Sequence, residues 1–85
     1  MTKTGAAFGR ELRKLRHNAG LSQEALAFAA GLHRTYISQL ERGLKSPSLD
    51  TLFLVSKALG VTPSELIQPY EARLLAHSPR RKESQ

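Results

Sequence analysis

The chain has 85 residues, with 13 lysines and arginines against 7 aspartates and glutamates, a formal net charge of +6. This length allows one small domain, and the absence of cysteine excludes disulfides and thiolate metal sites. The longest run of small and apolar residues, 25–32, is too short for a membrane span, which needs about 20 residues. The first residues form no apolar signal core, so we expect a cytoplasmic protein. The positive charge favours a polyanionic partner such as nucleic acid or an acidic membrane, although a merely soluble basic surface is also compatible with it.

Apolar residues recur along the chain at helical spacing, while the alternation typical of strands is missing. Phe8, Leu12, Leu15 and Ala19 follow one another at intervals of four, three and four residues. They form one stripe, which predicts a first helix over about 6–19.

Capping residues mark the other helices. Ser22 and Ser48 are placed as N-caps, and Thr62 forms a capping box with Glu65. His33 precedes the third helix and is a poor cap. Glycines follow the first four helices at 20, 31, 43 and 60. The sequence therefore predicts an all-α fold of five helices, at about 6–19, 23–30, 34–42, 49–59 and 63–68.

The five helices predict one domain over residues 1–69. Residues 70–85 form a polar, basic tail after Pro69, in which a short helix could be followed by a disordered end. This tail could serve a protein partner, follow DNA phosphates or simply add solubility.

The second and third predicted helices are joined by only three residues, 31–33, as in a helix-turn-helix motif. Several separated motifs occur around it: LSQEALA at 21–27, AGL at 30–32, YISQLERG at 36–43, SPSLDTL at 46–52 and ALGVTPSEL at 58–66. In order and spacing, over about residues 8–68, they resemble the Xre (lambda-repressor-like) helix-turn-helix family of DNA-binding regulators. The segment GLHRTYIS at 31–38 is most similar to the controller proteins of restriction–modification systems.

The resemblance implies a compact five-helix domain with the helix at about 34–42 in the DNA major groove. Residues near the N-terminus of such a helix read bases: arginine binds guanine bidentately, glutamine pairs with adenine, and threonine offers a methyl group to thymine. Without the resemblance, these side chains would be read as solvated helix residues. The base-reading candidates share one face of the helix and are Arg34, Thr35, Ser38 and Gln39.

Other residues are expected to contact the DNA backbone. Tyr36 is a candidate for contact with a phosphate or a base edge, with the core as the alternative, and His33 either caps the helix or contacts a phosphate. Arg42 and Lys45 could also be ordinary surface charges. The full set of backbone candidates is Gln23, Tyr36, Arg42, Lys45 and Ser46. In the family, positions matching Arg16 and Glu41 form a partly buried ion pair, so these two residues are assigned to structure.

The apolar residues exceed what one small core needs. Phe53, Leu54 and Ile67 are interpreted as a dimer interface, with peripheral core as the alternative. Dimeric readers of this kind bind two half-sites about one helical turn apart. The predicted core consists of Phe8, Leu12, Leu15, Leu21, Leu26, Ala30, Leu32, Ile37, Leu40, Leu49, Leu52, Val55, Leu59, Val61 and Leu66.

The resulting hypothesis is a homodimeric transcription regulator, repressor or activator, that binds a (pseudo)palindromic operator in double-stranded DNA. An antitoxin-type module, in which partner binding comes first and DNA binding second, is the alternative. An enzyme is not expected, because the three histidines lack metal-ligand spacing and no phosphate-binding glycine loop is present. Gly5 and Gly9 form a GxxxG spacing that is assigned no role. We therefore expect no catalytic residue, cofactor, metal, membrane contact or small-molecule ligand.

Overall fold

The computed structural model describes residues 3–77, which form five helices without any strand. The helices are α1 (Lys3–Asn18), α2 (Gln23–Ala30), α3 (Arg34–Glu41), α4 (Leu49–Leu59) and α5 (Pro63–His77). The prediction of an all-α, five-helix fold is confirmed. The basic tail residues at 80–82 lie outside the described residues, so their role stays a prediction.

The helix starts follow the capping chemistry of the sequence. The Ser22 hydroxyl accepts a hydrogen bond from the Ala25 N–H at 2.9 Å, and Ser48 caps α4 in the same way. At α5, the Thr62 N–H donates to the Glu65 carboxylate at 2.8 Å, and the Glu65 N–H donates to the Thr62 hydroxyl at 3.1 Å. Each bond satisfies an N–H group that a helix start otherwise leaves without a partner.

The turn between α2 and α3 depends on Gly31, which has a φ of 72°. Residues with a Cβ rarely adopt this left-handed backbone conformation. The Leu32 N–H then donates to the Ala27 carbonyl at 2.8 Å, and the partly buried Leu32 packs against the core. The short turn therefore fixes the direction in which α3 leaves α2.

The fifth helix is longer than its predicted range of 63–68. It continues through Pro69 to His77, although proline lacks an N–H and its ring crowds the carbonyl of Glu65, four residues earlier. α1 also begins earlier than expected, at Lys3, and α1 packs against α5. This tertiary contact supplies packing that the local sequence pattern does not reveal.

All five helices contribute to one core. Leu12, Leu26, Ile37, Leu40 and Leu66 are fully buried, together with Phe8, Ala27, Ala30 and Val55. Most of the predicted core positions are buried or packed against this cluster.

Two predicted core residues do not belong to this cluster: Val61 is only partly buried, and 73% of Leu49 is exposed. Leu49 departs most from the prediction. It is the first residue of α4 and lies one turn before the exposed Phe53, on the same side of the helix. The buried side of α4 is formed instead by Thr51, Val55 and Ser56. Placing Leu49 in the core was wrong, because α4 turns the side with Thr51, Val55 and Ser56 towards the core and Leu49 lies outside that side.

Gly9 has a role that its sequence spacing did not indicate. It is buried in α1, and a Cβ added there would lie 2.5 Å from the carbonyl oxygens of both Leu40 and Glu41. Only glycine allows this approach without a shift of the backbone. Gly9 therefore sets how closely the C-terminal end of α3 packs against α1.

Candidate nucleic-acid interface

The third helix has an anchored side and an accessible side. Ile37 and Leu40 are fully buried, whereas Arg34 and Thr35 are exposed, and Ser38 and Gln39 are half-buried. The four residues predicted to read bases thus belong to one short helix that is fixed to the core from behind. Helix α3 can present polar side chains to a groove while its buried residues keep it packed against the core.

The start of α3 leaves donors free. The N–H groups of Tyr36 and Ile37 both donate to the His33 carbonyl, at 3.0 and 3.2 Å, while those of Arg34 and Thr35 have no acceptor within residues 3–77. His33 occupies the N-cap position of α3, but its exposed side chain makes no capping bond. A contact between His33 and a phosphate stays a prediction. Free N–H groups and the positive helix end favour an anion at this position.

Tyr36 connects α3 to the start of α4. Its ring packs against the core, and its hydroxyl lies 3.2 Å from the Thr51 hydroxyl oxygen. The Ser48 hydroxyl donates to the same Thr51 oxygen at 3.0 Å. Tyr36 is therefore half-buried and hydrogen-bonded within the domain. Its position is compatible both with a core residue and with a residue that contacts the DNA backbone.

Gln23 begins α2 and is also held from inside. Its side-chain amide nitrogen donates to the Glu41 carboxylate at 3.0 Å. The N–H groups of Ala25 and Leu26 donate to the hydroxyl and the carbonyl of Ser22. The backbone N–H groups of Gln23 and Glu24 have no acceptor among the described residues. The N-terminus of α2 consequently offers two backbone donors beside a fixed side-chain amide.

Arg16 and Glu41 form an ion pair between α1 and the end of α3. The Arg16 Nε lies 2.5 Å from Glu41 Oε2, Arg16 Nη2 lies 3.0 Å from Oε1, and Nη1 donates to the Leu21 carbonyl at 2.8 Å. Only 8% and 2% of the two side chains are exposed. The geometry matches the structural role that the family resemblance implies for this pair.

The surroundings of Glu41 determine its charge. Burial raises the pKa of this carboxyl, but hydrogen bonds from Arg16 and Gln23 and the attraction of Arg16 and Arg13 outweigh burial and lower it. Glu41 is thus an ionised acceptor at neutral pH.

Exposed polar residues surround the turn after α3. Arg42, Lys45 and Ser46 are all exposed in the segment that leads to α4. The Leu44 N–H donates to the Gln39 carbonyl at 2.9 Å, which folds this segment back onto the helix end. The two cations of the turn therefore lie beside the end of α3, where a groove-bound helix would meet the DNA backbone.

Apolar side chains are exposed at the positions predicted for a dimer interface. Phe53 is 60% exposed, Leu54 is 42% exposed, and Ile67 of α5 is partly exposed. Leu49 adds a further exposed apolar side chain one turn before Phe53. Its helical spacing of four residues from Phe53 was visible in the sequence and could have identified it. Large apolar side chains are exposed outside these positions as well, on Phe28 of α2 and Leu44 after α3.

Two kinds of feature are missing from residues 3–77. None of their helices has the length and apolarity needed to cross a membrane. The same residues contain no group of three or more histidine, aspartate or glutamate side chains arranged to hold a metal.

Comparison with known proteins gives consistent results. The helix-turn-helix family model matches residues 11–66. Control protein C.BamHI of Bacillus amyloliquefaciens is 51% identical over 61 residues, which cover 71% of this chain and 75% of that protein. The structure of restriction–modification controller protein C.AhdI from Aeromonas hydrophila superposes with a TM-score of 0.72 at 45% identity, covering 73% and 94% of the two chains. The clp gene regulator ClgR from Corynebacterium glutamicum superposes with a TM-score of 0.79 at 29% identity, covering 88% and 80%.

The family match spans the turn between α2 and α3 and the helices that support it. The relatives with high identity are regulators that share this fold. The chain belongs to the Xre-like helix-turn-helix family of DNA-binding transcriptional regulators.

Proposed function

We propose that this regulator works as a homodimer on a two-fold symmetric operator, in the manner of a restriction–modification controller protein. The observation that carries the proposal is the two-sided α3, with Ile37 and Leu40 fully buried and Arg34 and Thr35 exposed. The relatives named control proteins support the choice of this class.

Base reading is assigned to the accessible edge of α3. Arg34 lies in its first turn, where a recognition helix comes closest to the floor of the groove. Its guanidinium suits the O6 and N7 acceptors of guanine, and the Gln39 amide suits adenine. Thr35 and Ser38 complete the edge with short side chains that allow a close approach.

Phosphate binding is assigned to both sides of this edge. On one side lie the free N–H groups and the amide at the start of α2, with Gln23 as the side-chain donor. On the other side lie Arg42, Lys45 and Ser46 in the turn after α3. Tyr36 of α3, whose hydroxyl lies 3.2 Å from that of Thr51 near the start of α4, is assigned to the same set of backbone contacts. Contacts on two flanks fix the register of a helix in the groove.

Dimerisation is assigned to the apolar surface of α4 and α5. Phe53, Leu54 and Ile67 form its predicted part, and Leu49 extends it. Isologous burial by a second copy would cover these side chains on both protomers at once. Within this proposal, α4 connects the two functions because Tyr36 of α3 is bonded to its Thr51.

Selection of bound sites from random double-stranded DNA tests the proposal. We expect a motif with two-fold symmetry whose half-sites lie about one helical turn apart. Sedimentation of the free protein and of the protein–DNA complex gives the stoichiometry, which should be two chains for each symmetric site. A single asymmetric half-site bound by one chain would contradict the homodimer, and the absence of any enriched motif would contradict sequence-specific reading.

A further inference from the structure

A single carboxylate joins three structural elements behind the predicted DNA-contacting residues. Glu41, the last residue of α3, receives hydrogen bonds from Arg16 of α1 and from Gln23 at the start of α2. Its Oε1 atom accepts one bond from each partner, both at 3.0 Å. Arg16 in turn donates to the Leu21 carbonyl in the turn before α2.

The ionised Glu41 determines the orientation of the Gln23 amide. A carboxylate only accepts hydrogen bonds, so the NH2 group of the amide must face it. That group carries two hydrogens, of which Glu41 takes one. The second hydrogen remains for another acceptor, and Gln23 is only half-buried. A DNA phosphate, which offers only acceptor oxygens, is suited to this hydrogen.

We propose that Glu41, held by Arg16, is a positioning residue for DNA binding that fixes the Gln23 amide as a phosphate donor at a set distance from the reading edge of α3. The inference rests on the proposed function, in which Gln23 contacts a phosphate. It assigns to a buried pair a role in recognition in addition to its role in the fold.

The arrangement of the pair favours this role over stability alone. Replacing a buried ion pair by apolar residues of similar volume is often neutral or stabilising, because desolvation offsets the attraction between the charges. A buried carboxylate needs further hydrogen bonds for its remaining lone pairs in any role, so the position of the third partner is what points to recognition. Here the third partner, Gln23, belongs to the helix start whose backbone N–H groups are free.

The test is a double-mutant cycle on operator binding. The variants are Gln23→Ala, the apolar replacement Arg16→Met with Glu41→Leu, and all three changes together. Each is first checked for folding by denaturant unfolding. Gln23→Ala should weaken binding about tenfold for each protomer, since a hydrogen bond to a charged group is lost. The apolar replacement should lose a similar factor although Gln23 is present, and adding Gln23→Ala to it should change little.

The dependence of binding on salt gives a second readout. Gln23 is neutral, so losing its contact should leave the slope of log affinity against log salt unchanged. Lys45→Ala, the matched control in the turn after α3, should reduce that slope by about one. A general loosening of the docked domain would lower the slope in the apolar replacement as well, and would contradict the positioning role.

The outcomes separate the two levels of the proposal. If Gln23→Ala weakens binding and the apolar replacement binds like the wild type, the positioning role of Glu41 is overturned while the proposed function stands. If Gln23→Ala has no effect, both the phosphate contact of Gln23 and the positioning role are overturned. If the wild type selects no site at all, the proposed function itself fails.

Should the apolar replacement not fold, Glu41→Asp serves instead. It keeps the charge but moves the carboxylate away from the Gln23 amide, because aspartate is one methylene shorter. Unchanged binding by that variant overturns the positioning role.

Discussion

In the half of the domain built by α1, α2 and α3, the charged Arg16 and Glu41 are buried and polar side chains line the accessible edge of α3, although Phe28 of α2 is 89% exposed. In the half built by α4 and α5, polar Thr51 and Ser56 are buried and apolar Leu49 and Phe53 are exposed. A surface that binds a polyanion needs exposed donors held at fixed positions, and a surface that binds its own copy needs apolar area. Under the proposed function, the two halves serve different partners.

The largest effect should come from breaking the buried pair of the first half. Glu41→Ala leaves the Arg16 guanidinium buried without its counter-charge, which costs roughly 3–5 kcal/mol. The free energy of unfolding, measured by urea denaturation, should fall by this amount. The apolar replacement of both residues should remain close to wild type. An equally large loss in both variants would show that packing volume, not charge, governs the site.

The second half should respond to a charge on its apolar surface. Phe53→Glu places a carboxylate where two copies are expected to meet, so the dimer should dissociate at micromolar concentration in sedimentation. Operator affinity should fall about 10²-fold or more, because the two reading helices then bind separately.

Phe28→Glu is the matched control, since Phe28 is 89% exposed on α2, outside the proposed interface. It should leave the dimer intact. If Phe28→Glu dissociates the protein and Phe53→Glu does not, the interface lies on α2 and the assignment of the second half is wrong.

Gly9 tests how α3 is seated in the first half. In an exposed helix, glycine to alanine would gain up to about 1 kcal/mol. Here the new Cβ would lie 2.5 Å from two carbonyl oxygens of α3, so Gly9→Ala should instead destabilise by about 1–3 kcal/mol. The sign of the change in thermal stability decides the matter. A stabilised variant would mean that α3 moves away from α1 without cost.

The smallest effect should appear in acid. Because the pKa of Glu41 lies below its ordinary value of 4.5, this carboxylate adds stability above that pH and loses the contribution as the pH falls through its lowered value. Urea unfolding at a series of pH values should therefore show a steeper loss below about pH 4.5 in the wild type than in the variant with Met at 16 and Leu at 41. Parallel curves would contradict the lowered pKa.

Most of the fold was predictable because its determinants are local. Caps such as Ser22 and Ser48 form bonds within one turn, and the spacing of apolar residues identifies the buried face of each helix. The continuation of α5 through Pro69 was not predictable in this way, since it accompanies packing against α1. Gly9 was missed for the same reason, because its meaning depends on where α1 crosses α3.

The interface residues were predicted on different grounds. Arg34 and Thr35 were identified through the family resemblance. They are exposed on a helix whose other side is buried, which supports that assignment. The link between Gln23 and Glu41 was not predictable, since the two residues are 18 positions apart and neither has a pattern that indicates the other.

Direct base reading by α3 is central to the proposed function, and one comparison tests it. Bound sites are selected from random DNA in parallel with the wild type and with Arg34→Ala, and Arg10→Ala, an exposed arginine of α1, serves as the control. We expect Arg34→Ala to lose preference at one base pair in each half-site, with a loss of about 1–3 kcal/mol in binding to the wild-type operator. We expect the Arg10→Ala control to select the unchanged motif. An identical motif for wild type and Arg34→Ala would contradict direct base reading by α3.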